Sequence, residues 1–158
     1  MDILKKLPGS KEKGTVPFLR YWEDGMNRAI EFHDSKIEKI LQEGNDVRVI
    51  FAEAYIHQSK GKPGVDAGTG WTQKAELFLK DADVKGRFPE FPAGLWDGHI
   101  IIDQRRSMLL IPLDLKVTTE TSLVFFSGET VDIKSESASL ALIGEPTFVE
   151  NFRGNSEL

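Results

Sequence analysis

Residues 47–56 read Val-Arg-Val-Ile-Phe-Ala-Glu-Ala-Tyr-Ile, and this stretch decides the fold class. Val47, Val49 and Phe51 fall on alternate positions, so their side chains share one face of an extended chain. β-Branched and aromatic side chains favour the pleated, half-buried surface of a strand. The stretch therefore predicts a strand, and it favours an interior built by sheets over one built by a helix bundle.

The segment before this strand has two interpretations. In the first, residues 17–43 form one long amphipathic helix, whose apolar stripe comprises Phe18, Trp22, Met26, Ile30, Ile37, Ile40 and Leu41. In the second, the helix ends near Phe32, and Ser35–Gln42 pairs with residues 47–56 through the turn residues 43–46. We expect the second arrangement, a short N-terminal helix followed by a hairpin. The sequence alone leaves the conformation of residues 33–43 open.

The chain after the hairpin predicts further strands separated by turns. Residues 59–70 contain four glycines and a proline, which predicts a loop without regular structure. The next strand has one face formed by Trp71, Gln73, Ala75, Leu77 and Leu79, which is apolar apart from Gln73. Shorter apolar runs follow at 95–103, 108–113, 118–126, 131–133, 139–143 and 148–152, with Asp97-Gly98 read as a bend and Gly144-Glu145-Pro146 as a stop. Seven to nine short strands at this spacing predict an all-β fold, an antiparallel β sandwich or barrel.

Length and composition limit the organisation and the class of partner. The 158 residues fit one domain, with a polar tail at 1–16, a β domain with an N-terminal helical segment at 17–152, and a C-terminal tail at 153–158. The chain has no cysteine, which excludes disulfides, thiolate zinc sites and cysteine catalysis. A net charge of −5 with scattered basic residues argues against nucleic acid. No apolar stretch is typical of a signal peptide or membrane span, so we expect a cytoplasmic protein with no membrane partner.

A series of short motifs occurs in a fixed order between residues 32 and 152. They are Phe32-His33-Asp34-Ser35, Ala54-Tyr55-Ile56-His57, Gly70-Trp71, Asp97-Gly98, Ile111-Pro112-Leu113, Ser127-Gly128-Glu129 and Gly144-Glu145-Pro146. This order resembles a family of small bacterial β proteins in which a His-Asp pair precedes a first hairpin. The resemblance favours the hairpin interpretation of residues 35–56, and it implies no particular activity.

The three histidines are the candidate metal ligands. His33, His57 and His99 have carboxylates near them in sequence, and imidazole with carboxylate suits zinc, iron or manganese. No two of them are spaced to share one face of one element, so separate structural roles are the alternative. Neighbouring residues of a strand point to opposite faces, which predicts that His33 and Asp34 do not pair. We expect Asp34 to accept backbone N–H groups at the entry to the strand instead.

Aromatic residues give a candidate ligand-binding set. Tyr55, Trp71 and Trp96 lie at predicted strand ends or beside glycine-rich turns, with His57 and Asp97 close in sequence. Aromatic faces beside polar groups hold small ligands in β folds. The alternative is that the aromatic side chains fill the core.

No catalytic pattern is complete in this sequence. A Gly-x-Ser-x-Gly turn, a phosphate-binding loop and a calcium loop are all missing, so no catalytic residue and no cofactor is assigned. The leading hypothesis is a non-enzymatic module that binds an unidentified small molecule or protein. One alternative is a metal-assisted enzyme that uses His33, His57 and His99. Another is a structural subunit that forms a homo-oligomer.

Overall fold

The computed structural model describes residues 25–154, which form an all-β fold of eleven strands. The strands are β1 (Asn27–Glu43), β2 (Asp46–Ser59), β3 (Gly68–Lys80), β4 (Asp83–Gly86), β5 (Ala93–Ile102), β6 (Arg105–Ser107), β7 (Leu109–Ile111), β8 (Asp114–Leu115), β9 (Thr119–Phe125), β10 (Thr130–Ser135) and β11 (Ser137–Phe152). Within those residues, no helix is long and apolar enough to cross a membrane.

The strands form one antiparallel sheet that curls into a half-barrel, which confirms the predicted all-β antiparallel fold. Neighbours follow the order β4-β10-β9-β5-β1-β2-β3-β11-β8, while β6 pairs with β5 and β7 pairs with β1. The β1–β2 hairpin is as predicted, since Gln42 pairs with Val47 and Glu43 with Asp46 across a turn. Gly44 has a φ of 62° at that turn, a conformation that glycine adopts without strain.

The predicted N-terminal helix is wrong where the structure tests it. Residues 27–32, which were assigned to the end of that helix, belong to β1. The four-residue recurrence of Met26 and Ile30 is accidental there, because strand pairing with β2 fixes the chain as extended. The earlier part of the predicted helix, with Phe18 and Trp22, lies outside the described residues.

Several strands are longer than the sequence predicted, because irregular residues are absorbed as bulges. Gly144-Glu145-Pro146 was predicted to stop a strand, yet β11 continues through it with a shift in its pairing to β3. Asp97-Gly98 was predicted as a bend and lies within β5. Gly68 and Gly70 were assigned to the loop and belong to β3, which leaves residues 60–67 as the connection.

The core lies on the concave face of the curled sheet. β3 has the predicted apolar face, since Ala75, Leu77 and Leu79 are fully buried and Trp71 packs against the same cluster. Strands β1, β2, β5, β9 and β10 contribute side chains to the same interior, namely Ile30, Phe32, Ile37, Phe51, Leu95, Ile100, Leu123, Phe125 and Ile133. Burial of this apolar area is the main force that holds the sheet curled.

A wide bulge interrupts β1 at residues 32–35. Glu31 pairs with Tyr55 and Lys36 with Glu53, so β1 advances five residues where β2 advances two. Asp34 has a φ of 77° at this point. The buried Ser35 hydroxyl donates to the carbonyl of Glu31 at 2.6 Å and accepts from the Tyr55 N–H at 2.9 Å. The side chain of Ser35 thus replaces backbone hydrogen bonds that the bulge removes from the β1–β2 ladder.

We expect Ser35→Ala to lower the free energy of unfolding by about 1–3 kcal/mol, because it leaves the buried Tyr55 N–H without an acceptor. Urea denaturation measures this difference. Ser139→Ala is the matched control, because Ser139 is a partly exposed strand residue; its effect should stay within about 0.5 kcal/mol. Equal effects of the two substitutions would show that Ser35 has no special role in the bulge.

Candidate functional site

The sheet splits along one edge of β1. That edge pairs with β7 over Arg28–Ile30 and with β5 at Lys36 and Ile37. Between these two pairings, the described strands leave residues 31–35 of β1 without a partner on that side. Ladder pairing of β5 with β1 ends at Gly94, and from Leu95 onward β5 pairs with β9. The split therefore leaves an opening in the sheet, and the bulge of β1 faces into it.

A cleft of about 570 Å³ occupies this split. Its walls come from β1, β5, the 60–67 loop and residues 106–110, which span the end of β6 and the start of β7. The lining residues are Ile30, Glu31, Phe32, His33, Lys62, Pro63, Asp97, Gly98, His99, Arg106, Ser107, Met108 and Leu110. Gly98 has a close-packing role in one wall, because a Cβ there would overlap the ring of Phe32. The cleft combines an apolar floor with charged groups of both signs.

A buried histidine fixes one of these charged groups. His57 is 5% exposed, and its Nε2 lies 2.5 Å from Oε1 of Glu31. With the carboxylate as acceptor, Nε2 carries the hydrogen and donates it. The other ring nitrogen, Nδ1, is buried and has no hydrogen-bond partner among the described residues. Glu31 thus lines the cleft with its carboxylate held from behind by an imidazole.

The 60–67 loop covers His57 and forms the outer wall of the cleft. The loop is closed on itself, since the Lys62 N–H donates to the Asp66 carboxylate at 2.6 Å and the Asp66 N–H donates to the Lys62 carbonyl at 2.9 Å. Asn27 ties it to β1 by donating to the Gly61 carbonyl at 2.8 Å. These bonds place the side chain of Lys62 at the cleft.

Tyr55 lies beside His57 in a second layer on the convex side of the sheet. The ring centroids are 5.0 Å apart, and the Tyr55 hydroxyl donates to the Glu150 carboxylate of β11. Gly70 of β3 lies between Tyr55 of β2 and Glu150 of β11, and a Cβ at Gly70 would overlap the Tyr55 hydroxyl. A glycine at that position is what lets Tyr55 reach across β3 to β11. Burial, aided by the bond to Glu150, raises the pKa of Tyr55 above its usual value.

His33 and Asp34 differ from their predicted arrangement. His33 Nδ1 donates to the Trp96 carbonyl at 2.8 Å, which bridges the split between β1 and β5. Asp34 was predicted to accept backbone N–H groups and to point away from His33, but Asp34 Oδ1 lies 3.6 Å from His33 Nε2. The left-handed backbone of Asp34 breaks the usual alternation of faces, so the two neighbours meet.

The structure brings the three histidines to one region without assembling a metal site. His33 and His99 line the cleft, and His57 contacts it through Glu31. Nowhere in residues 25–154 is a group of three or more histidine and acidic side chains arranged to hold a metal ion. Their shared location is therefore best described as the wall of a cleft.

The predicted ligand-binding residues separate into four places. Asp97 lines the cleft, while Tyr55 and His57 form the layer behind Glu31. Trp96 is 57% exposed beside the cleft, with its ring edge-on to His33 at 5.7 Å. Trp71 packs on the concave face against the core and Phe148, with ring centroids 5.3 Å apart, so it lies outside the cleft.

Sequence reasoning missed Glu31, Lys62 and Arg106. Glu31 was hidden because its segment was assigned to a helix, and Lys62 because the loop was read only as a connector. Residues 54–59 are buried on both faces of β2. In the sequence, the polar residues Tyr55, His57 and Ser59 alternate there with Ala54 and Ile56, which is also the pattern of a strand with one solvated face, so the sequence contains no specific sign of the polar layer.

We expect Tyr55 to ionise well above its ordinary pKa of 10.0 in the folded protein. The folded state then keeps the phenol proton where the unfolded chain loses it, so stability supplied by Tyr55 is complete below about pH 10 and falls as the pH rises further. Absorbance titration of Tyr21→Phe, which leaves Tyr55 as the remaining tyrosine, measures the ionisation. Tyr55→Phe should weaken the alkaline loss of stability. An ordinary titration near pH 10 in the folded protein would contradict this prediction.

No known protein family, curated protein or solved structure matches this chain. The resemblance to small bacterial β proteins stays a prediction from the sequence.

Proposed function

We propose that this protein is a binding module for a small molecule, which occupies the cleft in the split of the sheet. The supporting observation is the cleft itself, about 570 Å³ in volume. Pockets of roughly 300–1,000 Å³ with an apolar lining and a few convergent polar groups are typical of small-ligand sites. Ile30, Phe32, Met108 and Leu110 supply apolar lining here, and charged groups converge on it from four segments.

The construction of the walls also supports a preformed site. His33 bridges β1 and β5 through the Trp96 carbonyl, and the buried His57 holds Glu31. Groups that are held before the ligand arrives lose little conformational entropy on binding, so they raise affinity. As part of this proposal, we expect the protein to be non-enzymatic, cytoplasmic and bacterial. A metal-assisted enzyme and a homo-oligomeric structural subunit stay alternatives predicted from the sequence.

A thermal-shift screen with a metabolite library tests the proposal. A ligand present at about 100 times its Kd stabilises the native state by about 2.7 kcal/mol, so hits should raise the Tm. Leu110→Trp, which places a larger side chain in the cleft, should abolish the shift caused by those hits. Ile143→Trp is the matched control, since Ile143 is similarly exposed on β11 and does not line the cleft.

Two results would contradict the proposal. The first is a library without hits, or with hits that Leu110→Trp leaves unchanged. The second is turnover of generic ester, phosphate or glycoside substrates at enzyme-like rates, which would replace a binding module with an enzyme.

A further inference from the structure

The charged side chains in the cleft are not neutralised by one another. Glu31 and Asp97 carry negative charge, and Lys62 and Arg106 carry positive charge. In residues 25–154, no ion pair joins either carboxylate to either cation. The two signs are thus held apart on different segments, with the acids on β1 and β5 and the cations on the 60–67 loop and β6.

Glu31 is also held by a hydrogen bond that a turn toward the cations would break. Its carboxylate is bonded to Nε2 of His57, which is buried under the 60–67 loop. The side chain of Glu31 keeps about a third of its surface exposed, and Glu31 lines the cleft. Glu31 is therefore an acceptor of fixed position for a cationic donor that enters the cleft.

A ligand with a charge of one sign would satisfy only half of this arrangement. A simple anion could pair only with Arg106 and Lys62, and a simple amine could pair only with Glu31 and Asp97. An uncharged ligand would form no ion pair with any of the four charged groups. A molecule with charges of both signs can pair with both sets.

We propose that the cleft binds a small zwitterion, a molecule with an ammonium group, a carboxylate and an apolar body. The ammonium lies at Glu31 and Asp97, the carboxylate lies at Arg106 and Lys62, and the apolar body contacts Leu110 and Met108. The inference rests on the proposed binding function and specifies the class of ligand. Free apolar amino acids and ω-amino acids have this chemistry.

Matched sets of ligands test the class by isothermal titration calorimetry at neutral pH. Leucine is compared with isopentylamine, which lacks the carboxylate, and with 4-methylpentanoate, which lacks the ammonium. The set based on 6-aminohexanoate, pentylamine and hexanoate has a longer separation of charge. At least one zwitterion should bind about tenfold or more tightly than both of its single-charge analogues, as expected for one added charged hydrogen bond.

Two charge-removing variants assign the ends of the ligand. Glu31→Gln should weaken binding of the zwitterion and the amine by about tenfold and leave binding of the carboxylate analogue unchanged. Arg106→Gln should weaken binding of the zwitterion and the carboxylate analogue by about tenfold and leave binding of the amine unchanged. Asp103→Asn and Arg87→Gln are the matched controls, because both residues are exposed and neither lines the cleft. Asp97→Asn is a second acidic variant if Glu31→Gln lowers stability.

The inference is overturned if no zwitterion binds, or if single-charge analogues bind as tightly as the zwitterions. It is also overturned if Glu31→Gln and Arg106→Gln weaken both single-charge analogues alike. The proposed binding function would still stand after such a result if a ligand of another class raises the Tm of the wild-type protein but not that of Leu110→Trp. If no zwitterion binds and no ligand gives a thermal shift that Leu110→Trp abolishes, both the function and the inference are wrong.

Discussion

Two hydrogen bonds of the Ser35 hydroxyl hold the feature on which the rest of the site depends. They close the β1–β2 ladder across a bulge that would otherwise leave buried backbone groups unpaired. The alternation of β1 puts Phe32 in the core with Ile30, and it puts His33 on the side of Glu31, where both line the cleft. β5 stops pairing with β1 after Gly94, and the cleft lies beside the unpaired stretch of β1 that contains the bulge.

The second layer on the convex face explains why the polar side of β2 is buried. Tyr55 and His57 point away from the apolar core, yet the 60–67 loop and the end of β11 cover them. Each has a carboxylate as its partner, Glu150 for Tyr55 and Glu31 for His57. Buried polar groups with such partners fix one arrangement of side chains. Because Glu31 belongs both to this layer and to the cleft, the two parts of the molecule are physically linked.

The fold was predictable to the extent that local pattern controls it. Alternation in Val47–Phe51 and Trp71–Leu79 correctly placed β2 and β3, and Gly44 correctly placed the hairpin turn. Residues 27–32 were wrongly assigned because Met26 and Ile30 fit a helical stripe, and strand pairing overrode that local pattern. The predicted strand lengths were wrong for a related reason. Glycine and proline at Gly144–Pro146 can mark either a bulge or the end of a strand, and here β11 continues through them as a bulge.

The sequence by itself determined the antiparallel all-β class, the absence of cysteine chemistry and the residue types that a binding site would use. It also supplied His33, His99 and Asp97 as candidates, which line the cleft. Only the tertiary structure decided that Glu31, Lys62 and Arg106 join them and that Trp71 does not. These residues come from β1, a loop and β6, and their proximity depends on how the sheet curls and where β5 leaves β1. Local side-chain patterns carry no information about such distant approach, because packing of the whole sheet sets it.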